Sequence, residues 1–405
     1  MKILVISSSA PFGKGESFVI SEVNSVARAG NDVLLFPTIL RKGNPNTFEL
    51  DERVILVAQP SFAWTVFFNF MKFIFTRPFT LVRLLCLVSD RNYKNCFKNF
   101  IVIPKALWLS AKLRNESVDH IHAHWLTTPS TLAMVTSRLT GINWSVTAHR
   151  GDIVVNNLLN EKFSSASFVR FISKSGVVLA KDRALLSDAK IRILHLGVNI
   201  SDFSTSDGLG KDFSNRKLTI LCPANLIPVK GHSLLFKAVS VMRNRGDVNI
   251  IVAGDGELRG SLEQTVRNLS ISQLVRFEGH VPHSTLISWY NDKKIDLVVL
   301  PSQDLGKGLH EGIPVSLMEA MASRIPVVST STGGIPELLQ GEGDERFGEL
   351  VDPHDHIGLA KVLDDLVESY ERRRQLAELG FQRVFSEFNQ EKTVNKLVEM
   401  IRHAS

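Results

Sequence analysis

The sequence predicts an α/β protein built on parallel sheets, and two observations carry this prediction. Short apolar runs alternate with helix-length amphipathic stretches along almost the whole chain. The runs are apolar without the alternation typical of half-exposed strands, which suits strands covered by helices on both faces. Folds of this class bind ligands off the carboxyl ends of their strands, so functional residues are expected in the loops there.

Ten runs are predicted to be strands, five in each half of the chain. They are KILVIS (2–7), DVLLFP (32–37), HIHAHW (120–125), WSVTAH (144–149), SFVRFIS (167–173), LTILCPA (218–224), VNIIVAG (248–254), VRFEGH (275–280), IDLVVLP (295–301) and PVVST (326–330). The uncharged run 54–71 is interrupted by Gln59-Pro60-Ser61, so it divides into a further strand and the start of a helix.

The 405 residues are too many for one core, and two domains are expected. The stretch 199–217 is rich in Ser, Asp, Gly and Asn and is the best linker candidate. We therefore expect one Rossmann-like domain over residues 1–205 and a second over 206–385. Residues 386–405 are expected to form a helix that packs back on the first domain.

The bulk composition indicates a protein without export or membrane-spanning segments. Its 44% hydrophobic and 22% charged content is ordinary for a globular chain. The first apolar run, Ile3 to Ile6, is too short for a signal peptide, and no uninterrupted run is long enough for a transmembrane span. The three cysteines form no CxxC pair or Cys/His cluster, so we expect reduced thiols, a cytoplasmic location and no zinc site.

One segment, residues 60–115, concentrates positive charge and aromatic side chains. It holds nine Lys/Arg against one acid, Asp90, a net charge of +8, whereas the whole chain carries +6. It also holds 12 of the 32 aromatic residues. This pattern favours peripheral binding to an anionic membrane surface at the inner face of the cytoplasmic membrane. The alternatives are that the aromatics form domain core, or that nucleic acid binds, which the apolar density argues against.

The tripeptide Gly-Ile-Pro occurs twice, at 312–314 and 334–336, and each copy is expected to open a helix. The free N–H groups and the positive dipole end of a helix start attract anions. Because one strand separates the two copies, the two starts are expected side by side at the same sheet edge. A single copy could be a plain turn, but two copies with Gly333-Gly334 favour a phosphate or diphosphate site.

Two carboxylates flank the first of these helix starts. Glu311 precedes it, and Glu319 should lie in the second helical turn with its side chain leaning back toward the start. Carboxylates accept hydrogen bonds from sugar hydroxyls and repel phosphates. Amides for a diphosphate between acids for hydroxyls therefore predict a nucleotide-diphosphate-sugar as ligand.

The stretch HEGIPVSLMEAMASRIPVVST (310–330), followed by GGIPELL, resembles the E-x7-E motif of retaining GT-B glycosyltransferases of family four. The resemblance implies two Rossmann-like domains facing across a cleft, the acceptor domain first and the donor domain second. It implies that Glu319 binds the donor ribose and that Glu311 lies beside the transferred sugar. The phosphates would then be bound by the backbone of the stretch Gly312, Ile313, Pro314 and Val315, together with the amides of Gly333 and Gly334.

A second match is LCPANLIPVKGH (221–232), which resembles the first donor-domain loop of the family, G-R-L-x-x-x-K-G. Lys230 matches the lysine that neutralises the diphosphate, whereas Asn225 stands where the family has an arginine. Lys307 or Arg150 could supply the missing charge. We expect Lys230, Glu311 and His149 to be the catalytic residues.

In the first half, VTAHRGDI (146–153) follows a strand and resembles a histidine-containing loop of the family. His149 is the candidate for contact with the donor sugar, and Arg150 and Asp152 are candidates on the acceptor side. The loop PFGKGESF (11–18) resembles a glycine-containing loop that faces diphosphate and acceptor. It makes Gly15 a donor-binding candidate and Lys14 an acceptor-side candidate, with a plain turn as the alternative.

Two further patterns compete with these interpretations. His120, His122 and His124 share one strand face and could suggest a metal, but no carboxylate is near in sequence, so we interpret them as structural. Gly254, Gly256 and Gly260 follow a strand and mimic a dinucleotide-binding fingerprint. Their spacing is GxGxxxG and not GxGxxG, so a dehydrogenase is disfavoured and Gly254 is assigned to donor binding.

The resemblance implies a metal-independent reaction with retention, in which the protein positions both substrates and stabilises charge on the leaving diphosphate. No cofactor is expected beyond the nucleotide-sugar substrate. With the membrane-binding segment, the expected acceptor is a lipid-linked glycan of polysaccharide or lipopolysaccharide synthesis. The alternatives are a nucleotide-sugar epimerase of the same fold and a non-catalytic nucleotide-sugar-binding protein.

Overall fold

Two fully parallel sheets form the centre of the structure, and the ten apolar runs predicted to be strands all lie in them. The computed structural model describes residues 1–12, 16–41, 49–203, 216–306 and 308–405. Its backbone divides into unit 1, Met1–His195 with Glu391–Ser405, and unit 2, Leu196–Gln390. The division thus lies at 195/196 and at 390/391, where the sequence placed it at 205/206 and 385/386. Residues 204–215 of the expected linker are outside the described residues.

Unit 1 contains a seven-stranded sheet of order β3-β2-β1-β4-β5-β6-β7 with helices on both faces. The strands are β1 (Lys2–Ser7), β2 (Asp32–Pro37), β3 (Val54–Leu56), β4 (His120–His124), β5 (Trp144–Ala148), β6 (Val169–Phe171) and β7 (Ile191–Ile193). The helices are α1 (Ser17–Arg28), α2 (Trp64–Thr76), α3 (Pro78–Leu87), α4 (Tyr93–Leu113), α5 (Thr128–Thr140), α6 (Arg150–Val155), α7 (Leu159–Ser165) and α8 (Lys174–Arg183).

Unit 2 contains a six-stranded sheet of order β10-β9-β8-β11-β12-β13. The strands are β8 (Leu218–Pro223), β9 (Val248–Ala253), β10 (Val275–Gly279), β11 (Leu297–Leu300), β12 (Val327–Thr330) and β13 (Glu349–Val351). The helices are α9 (His232–Val241), α10 (Arg259–Asn268), α11 (His283–Asn291), α12 (Val315–Ala322), α13 (Ile335–Leu339), α14 (His356–Glu368) and α15 (Tyr370–Glu387).

The last helix, α16 (Gln390–Ala404), belongs to unit 1 although it follows unit 2 in the chain. Its apolar face places Val394, Leu397 and Ile401 in the same buried cluster as Ile3 of β1 and Val19 of α1. These positions recur at three- and four-residue intervals, the spacing of one helical face. The opposite face of the unit 1 sheet is covered by α2 to α8, through a separate cluster that includes Trp144 and Phe171.

In each sheet the strand order changes direction at one point, and this switch point locates the candidate site. In unit 1 the chain passes from β1 outward to β3 and then returns to β4 on the other side of β1. In unit 2 it passes from β8 outward to β10 and returns to β11 on the other side of β8. Loops at the carboxyl ends of strands diverge at such a switch point and leave a crevice for a ligand.

Glycine holds the loops of unit 2 together where two backbones approach closely. A Cβ at Gly254, just after β9, would lie 1.9 Å from the carbonyl oxygen of Ala224, just after β8. A Cβ at Gly231, which has a φ of +66°, would lie 1.8 Å from the carbonyl oxygen of Pro301, just after β11. No side chain fits at either distance, so these glycines fix how the loops of β8, β9 and β11 meet.

We expect Gly254→Ala to lower the free energy of unfolding by at least about 2 kcal/mol, because the new Cβ must push the Ala224 carbonyl away. Gly260→Ala is the matched control, since a Cβ at Gly260 meets no atom within 4 Å and Gly260 lies in α10. That control should be neutral or stabilising by up to about 1 kcal/mol. Urea unfolding of both variants measures the difference, and equal stability of the two would contradict the packing role of Gly254.

Candidate active site

Three loops that follow neighbouring strands of unit 2 bring together the residues predicted to bind a nucleotide-sugar. The loop after β8 carries Asn225 and a short 3-10 turn, Pro228–Lys230. The loop after β11 carries Glu311 and leads into α12. The loop after β12 carries Gly333 and leads into α13. Since β8, β11 and β12 are adjacent, all three loops lie at the switch-point edge of the sheet.

Lys230 and Glu311 form an ion pair with each other, with a distance of 2.6 Å between Nζ and Oε2. Their side chains are 19% and 17% exposed, so both charges are largely withdrawn from water. Each group thus neutralises the other while no ligand is bound. A bound anion that uses Lys230 has to replace the Glu311 carboxylate, which would free Glu311 to accept a hydrogen bond from a hydroxyl.

The first Gly-Ile-Pro opens α12 with Pro314 as the residue immediately before the helix. A Cβ at Gly312 would meet nothing within 4 Å, so the space beside this residue is open, whereas the Ile313 side chain is part of the core. Within the described part of the chain, the backbone amides of Gly312, Ile313 and Val315 donate no hydrogen bond. These N–H groups and the dipole of α12 are therefore free to receive an anion.

The second Gly-Ile-Pro also opens a helix, but it offers less to an anion than the sequence suggested. Helix α13 has only five residues, and Gly334 N–H already donates to the carbonyl oxygen of Glu311 at 3.3 Å. Gly333 has a φ of +60°, and a Cβ there would lie 1.8 Å from the same oxygen. Gly333 and Gly334 thus hold the Glu311 loop in place, and the start of α12 is the better candidate for an anion site.

Glu319 lies in α12 as predicted, but it is buried and its carboxylate already has a partner. His283, the first residue of α11, is 2.7 Å from Glu319 through its Nε2 atom. The hydrogen bond to Glu319 raises the pKa of His283 above its ordinary value of 6.5. Tyr290 of α11 is also buried near this carboxylate, and burial raises the pKa of its hydroxyl.

Three other donor-side candidates have different outcomes. Asn225 is exposed, and within the described residues its side chain makes no hydrogen bond. The N–H of Gly254 donates to the carbonyl oxygen of Gly279 at 2.8 Å, so this amide is engaged in joining β9 to β10. Lys307, one of two candidates to replace the missing arginine, lies outside the described residues.

In unit 1 the structure places His149 at the carboxyl end of β5, where it caps α6. Its side chain accepts a hydrogen bond from the Asp152 backbone, and its Nε2 atom is buried without a partner among the described residues. The accepting atom must then be Nδ1, which puts the proton of the neutral ring on Nε2. Burial lowers the pKa of His149 to about 3, so the neutral form prevails at pH 7.

Two aromatic rings hold His149, and sequence reasoning identified neither. Trp125, directly after β4, stacks on the imidazole with ring centroids 4.1 Å apart, and Phe18 of α1 lies 5.4 Å away. Trp125 has a φ of +81°, a conformation that is strained for a bulky residue. Its indole N–H donates to Glu16 at 2.8 Å, which joins the loop after β1 to this position.

Asp152, an acceptor-side candidate, is buried and used within unit 1. Its Oδ2 atom accepts from the N–H groups of Leu126 at 2.6 Å and His149 at 3.3 Å. Burial raises the pKa of Asp152 to about 7, against the effect of these two donors. Arg150 is the first residue of α6 and is half-buried. The remaining candidates of this unit, Lys14 and Gly15, lie outside the described residues.

The three histidines of β4 are buried, and a carboxylate that sequence reasoning missed lies beside them. Glu22 of α1 contacts His124 at 3.0 Å and Arg170 of β6 at 2.7 Å. Burial alone would raise the pKa of Glu22, but the Arg170 guanidinium and His124 hold it well below its ordinary range.

The atoms of Glu22, His122 and His124 lie close enough together to form a three-ligand metal set. However, both ring nitrogens of His122 are bonded to hydroxyls, to Ser145 at 2.8 Å and Thr147 at 2.9 Å. The register of β4 against β5 places Ser145 opposite His122 and Thr147 opposite His124. Arg170 moreover already supplies the positive charge beside Glu22. The cluster is therefore explained as a buried ion pair with a hydrogen-bonded histidine row.

Comparison with known proteins identifies the family of unit 2. The family model described as glycosyl transferases group 1 matches residues 210–383. These residues belong to that family. The group 1 domain thus contains Lys230, Glu311, Glu319 and the start of α12.

The relatives of the group 1 domain extend this result to the fold. A glycosyltransferase of amylovoran biosynthesis from Erwinia amylovora is 28% identical over 213 residues, which cover 52% of this chain and 50% of that protein, so the chain spans about half the length of this relative. An Anabaena protein solved in complex with UDP has a TM-score of 0.70 at 17% identity and covers 100% of both chains. A lipopolysaccharide outer core galactosyltransferase has a TM-score of 0.68 at 16% identity and covers 98% and 99%. The fold is accordingly GT-B.

Two of the residues that sequence reasoning missed carried a weak signal. Trp125 directly follows HIHAH at a predicted strand end, the position where ligand-contacting residues of parallel sheets lie. His283 follows Pro282 after the predicted strand VRFEGH, which marks a helix start. Glu22 and Arg170 carried none, because residues 148 positions apart meet only in the folded sheet.

The buried histidines predict an acid-sensitive fold. Burial lowers the pKa of His120 and His232 to about 4 and that of His149 to about 3. Below pH 6.5 the unfolded chain binds protons that the folded chain excludes, so their contribution is present above pH 6.5 and is lost as the pH falls toward 4. Asp152 has the opposite effect because its pKa is raised by folding. At a pH between its two pKa values the folded chain binds a proton that the unfolded chain does not, which offsets one histidine.

We therefore expect the free energy of unfolding to fall between pH 6.5 and pH 5, as measured by urea titration at several pH values. Each histidine contributes up to about 1.4 kcal/mol per pH unit. His120→Asn should reduce the slope of the unfolding free energy against pH by up to about 1.4 kcal/mol per pH unit. His403→Asn should leave this slope unchanged, because His403 is exposed. A wild-type stability that is flat over this range would contradict the prediction.

Proposed function

We propose that this protein is a retaining glycosyltransferase that moves a sugar from a nucleotide-diphosphate-sugar to a hydroxyl of a lipid-linked glycan in cell-surface polysaccharide or lipopolysaccharide synthesis. The observation that carries the proposal is the ion pair of Lys230 with Glu311 beside the free amides that open α12. The names of the Erwinia relative and of the lipopolysaccharide galactosyltransferase support the acceptor class. The Anabaena complex with UDP supports the donor class.

The donor would be held by groups of opposite character. The amides of Gly312, Ile313 and Val315 would bind the diphosphate together with the Lys230 ammonium. Glu319 would accept hydrogen bonds from the ribose hydroxyls, and Glu311, once released from Lys230, would accept from the transferred sugar. A donor thus exchanges the internal ion pair for two new interactions, one on each partner.

In the proposed reaction the bond between the anomeric carbon and the diphosphate oxygen breaks while the acceptor oxygen attacks from the same face. The electron pair of the broken bond leaves with the diphosphate, which takes the proton of the acceptor hydroxyl. Charge therefore accumulates on the diphosphate, where Lys230 and the helix amides stabilise it. The step requires no protein nucleophile and no metal ion, and an α-configured donor gives an α-linked product.

His149 would donate a hydrogen bond from its Nε2–H group to a hydroxyl of the transferred sugar. Because the ring is neutral at pH 7, it can act as a fixed hydrogen-bond donor without gaining or losing a proton. Stacking on Trp125 and capping of α6 hold it in one orientation. We assign acceptor binding to unit 1, with Lys14 and Arg150 as its candidates, since the buried Asp152 is engaged within the unit.

We expect Lys230→Ala and Glu311→Ala each to reduce the transfer rate at least about 100-fold, because each removes a group that contacts the reacting sugar diphosphate. The donor is first chosen by a thermal-shift screen of nucleotide-sugars, since a bound donor stabilises the fold by about 2.7 kcal/mol at 100 times its Kd. Donor hydrolysis without acceptor then measures turnover.

Lys237→Ala is the control for these variants, since Lys237 is an exposed lysine of the neighbouring helix α9. It should retain the wild-type rate. A folded Glu311→Ala variant with wild-type turnover would overturn the catalytic assignment. Chelation of divalent metals should leave the rate unchanged, and NMR of the product should show the anomeric configuration of the donor. An inverted product would overturn retention.

His283 is expected to act as a positioning residue for Glu319. Without the 2.7 Å contact, the Glu319 carboxylate gains freedom to rotate, and the donor should bind more weakly. His283→Ala should raise the KM for the nucleotide-sugar several-fold with little change in kcat. His283→Gln, which retains a hydrogen-bond donor near the Nε2 position, should restore part of the lost affinity. A change in kcat alone would contradict this role. His280→Ala, an exposed residue directly after β10, is the control.

A further inference from the structure

Most aromatic side chains of the segment 60–115 lie outside the core of unit 1. Of the twelve aromatic residues between positions 60 and 115, nine are exposed and three, Phe70, Phe73 and Trp108, pack partly against the unit 1 cluster. The most exposed are Phe62 at 95%, Phe75 and Phe79 at 83%, Tyr93, Trp64 and Phe97. Monomeric proteins rarely expose so many large rings from one segment without a partner for them.

Helix α2 is apolar on two sides. Val66, Phe70 and Phe73 face the core of unit 1. At about 100° per residue, Trp64, Phe68 and Phe75 fall within about 40° of one another on the opposite side, and all three are exposed. Trp64 also contacts Phe67 and Phe68, with ring centroids 5.9 and 6.1 Å apart. A second apolar side that faces away from the core marks a surface for contact with a partner or with lipid.

Helices α3 and α4 repeat this arrangement beside α2. In α4, Tyr93, Phe97, Phe100 and Ile101 form one exposed stripe at i, i+4, i+7 and i+8, while the opposite side is buried. In α3, Phe79 and Val82 are exposed on the side away from Leu81 and Leu84. Each of the three helices therefore has an outward apolar stripe that the described residues of unit 1 leave exposed.

The same helices carry positive charge that no acid balances. Eight of the nine Lys/Arg in residues 60–115 are exposed, and none of the eight forms an ion pair within the described part of the chain. The ninth, Lys105, is buried and donates to the carbonyl oxygens of Pro37 and Thr38. The single acid, Asp90, accepts from the backbone of Asn92. The charge is thus available to an anionic partner.

We propose that this face of α2, α3 and α4, which we call the aromatic–basic face, binds the surface of an anionic lipid bilayer. Exposed rings enter the interface between headgroups and acyl chains, while lysines and arginines contact the negative headgroups. Within the described residues no helix is long and apolar enough to cross a membrane, so the helices lie on the surface. The proposal does not depend on the transferase activity.

Charge complementarity decides between the possible occupants. A second copy of this chain would bring the same eight exposed cations against themselves, and like charges repel. Nucleic acid would meet the charge but would leave the apolar stripes of α2 and α4 without a partner of their kind. An anionic bilayer matches both the exposed positive charge and the apolar stripes.

Vesicle flotation of the full chain tests the proposal, with phosphatidylcholine alone and with 30% phosphatidylglycerol as probes. We expect at least tenfold stronger binding to the anionic vesicles at low salt, weakened by high salt. The triple variant Trp64→Ser, Phe68→Ser, Phe75→Ser should reduce this binding at least tenfold. The matched triple Leu185→Ser, Ile357→Ser, Phe385→Ser, also exposed, should leave it unchanged.

A charge triple separates the two contributions. Arg91→Gln, Lys94→Gln, Lys98→Gln should reduce anionic binding and its salt dependence, whereas Lys217→Gln, Lys237→Gln, Lys361→Gln should not. Brominated acyl chains should quench the fluorescence of Trp64, and Trp64→Phe should bind vesicles but lose this quenching.

Three results would overturn the proposal. The first is no binding to either vesicle. The second is a lipid-free dimer that the aromatic triple dissociates, as seen by sedimentation velocity. The third is binding of RNA that the charge triple abolishes while vesicles are not bound. Donor-induced thermal shifts should be the same in the aromatic triple and the wild type, so failure here is distinguishable from failure of the proposed function.

Discussion

The arrangement of the candidate active site depends on backbone contacts that only glycine permits. At Gly231, Gly254 and Gly333 a neighbouring carbonyl lies where a Cβ would be, at 1.8 to 1.9 Å. Each contact joins the loop of one strand to the loop of its neighbour, so the position of Glu311 follows from the sheet and not from its own side chain. The carbonyl of Glu311 is itself one of the three partners. Rigid loops of this kind hold catalytic groups in place before a substrate arrives.

Each unit contains an internal ion pair, and burial decides what each pair can do. Lys230 and Glu311 are partly accessible, and a ligand can exchange with either partner. Glu22 and Arg170 are fully enclosed, so removing one would leave the other charge buried without compensation, which is strongly destabilising. The two ion pairs therefore differ in role. A ligand could displace one partner of the pair Lys230–Glu311, whereas the pair Glu22–Arg170 holds the sheet of unit 1 to α1.

Local sequence determined the strands and the helix starts, because apolar runs and Gly-Ile-Pro act within a few residues. It could not show that Gly334 N–H donates to Glu311, since that bond depends on how two loops meet. Nor could it show that His283 contacts Glu319, because these residues of α11 and α12 are 36 positions apart and meet only in the folded chain. The strands β7 and β13 were missed because three-residue edge strands carry little pattern.

The return of α16 to unit 1 has a consequence for synthesis of the chain. Val394, Leu397 and Ile401 complete a cluster whose other members, such as Ile3 and Val19, leave the ribosome first. Unit 2 is contiguous and can close its own core as soon as it emerges. Unit 1, although translated earlier, must wait with one face of its sheet partly uncovered until the final helix is made. Unit 1 is thus translated before unit 2 but completes its core after it.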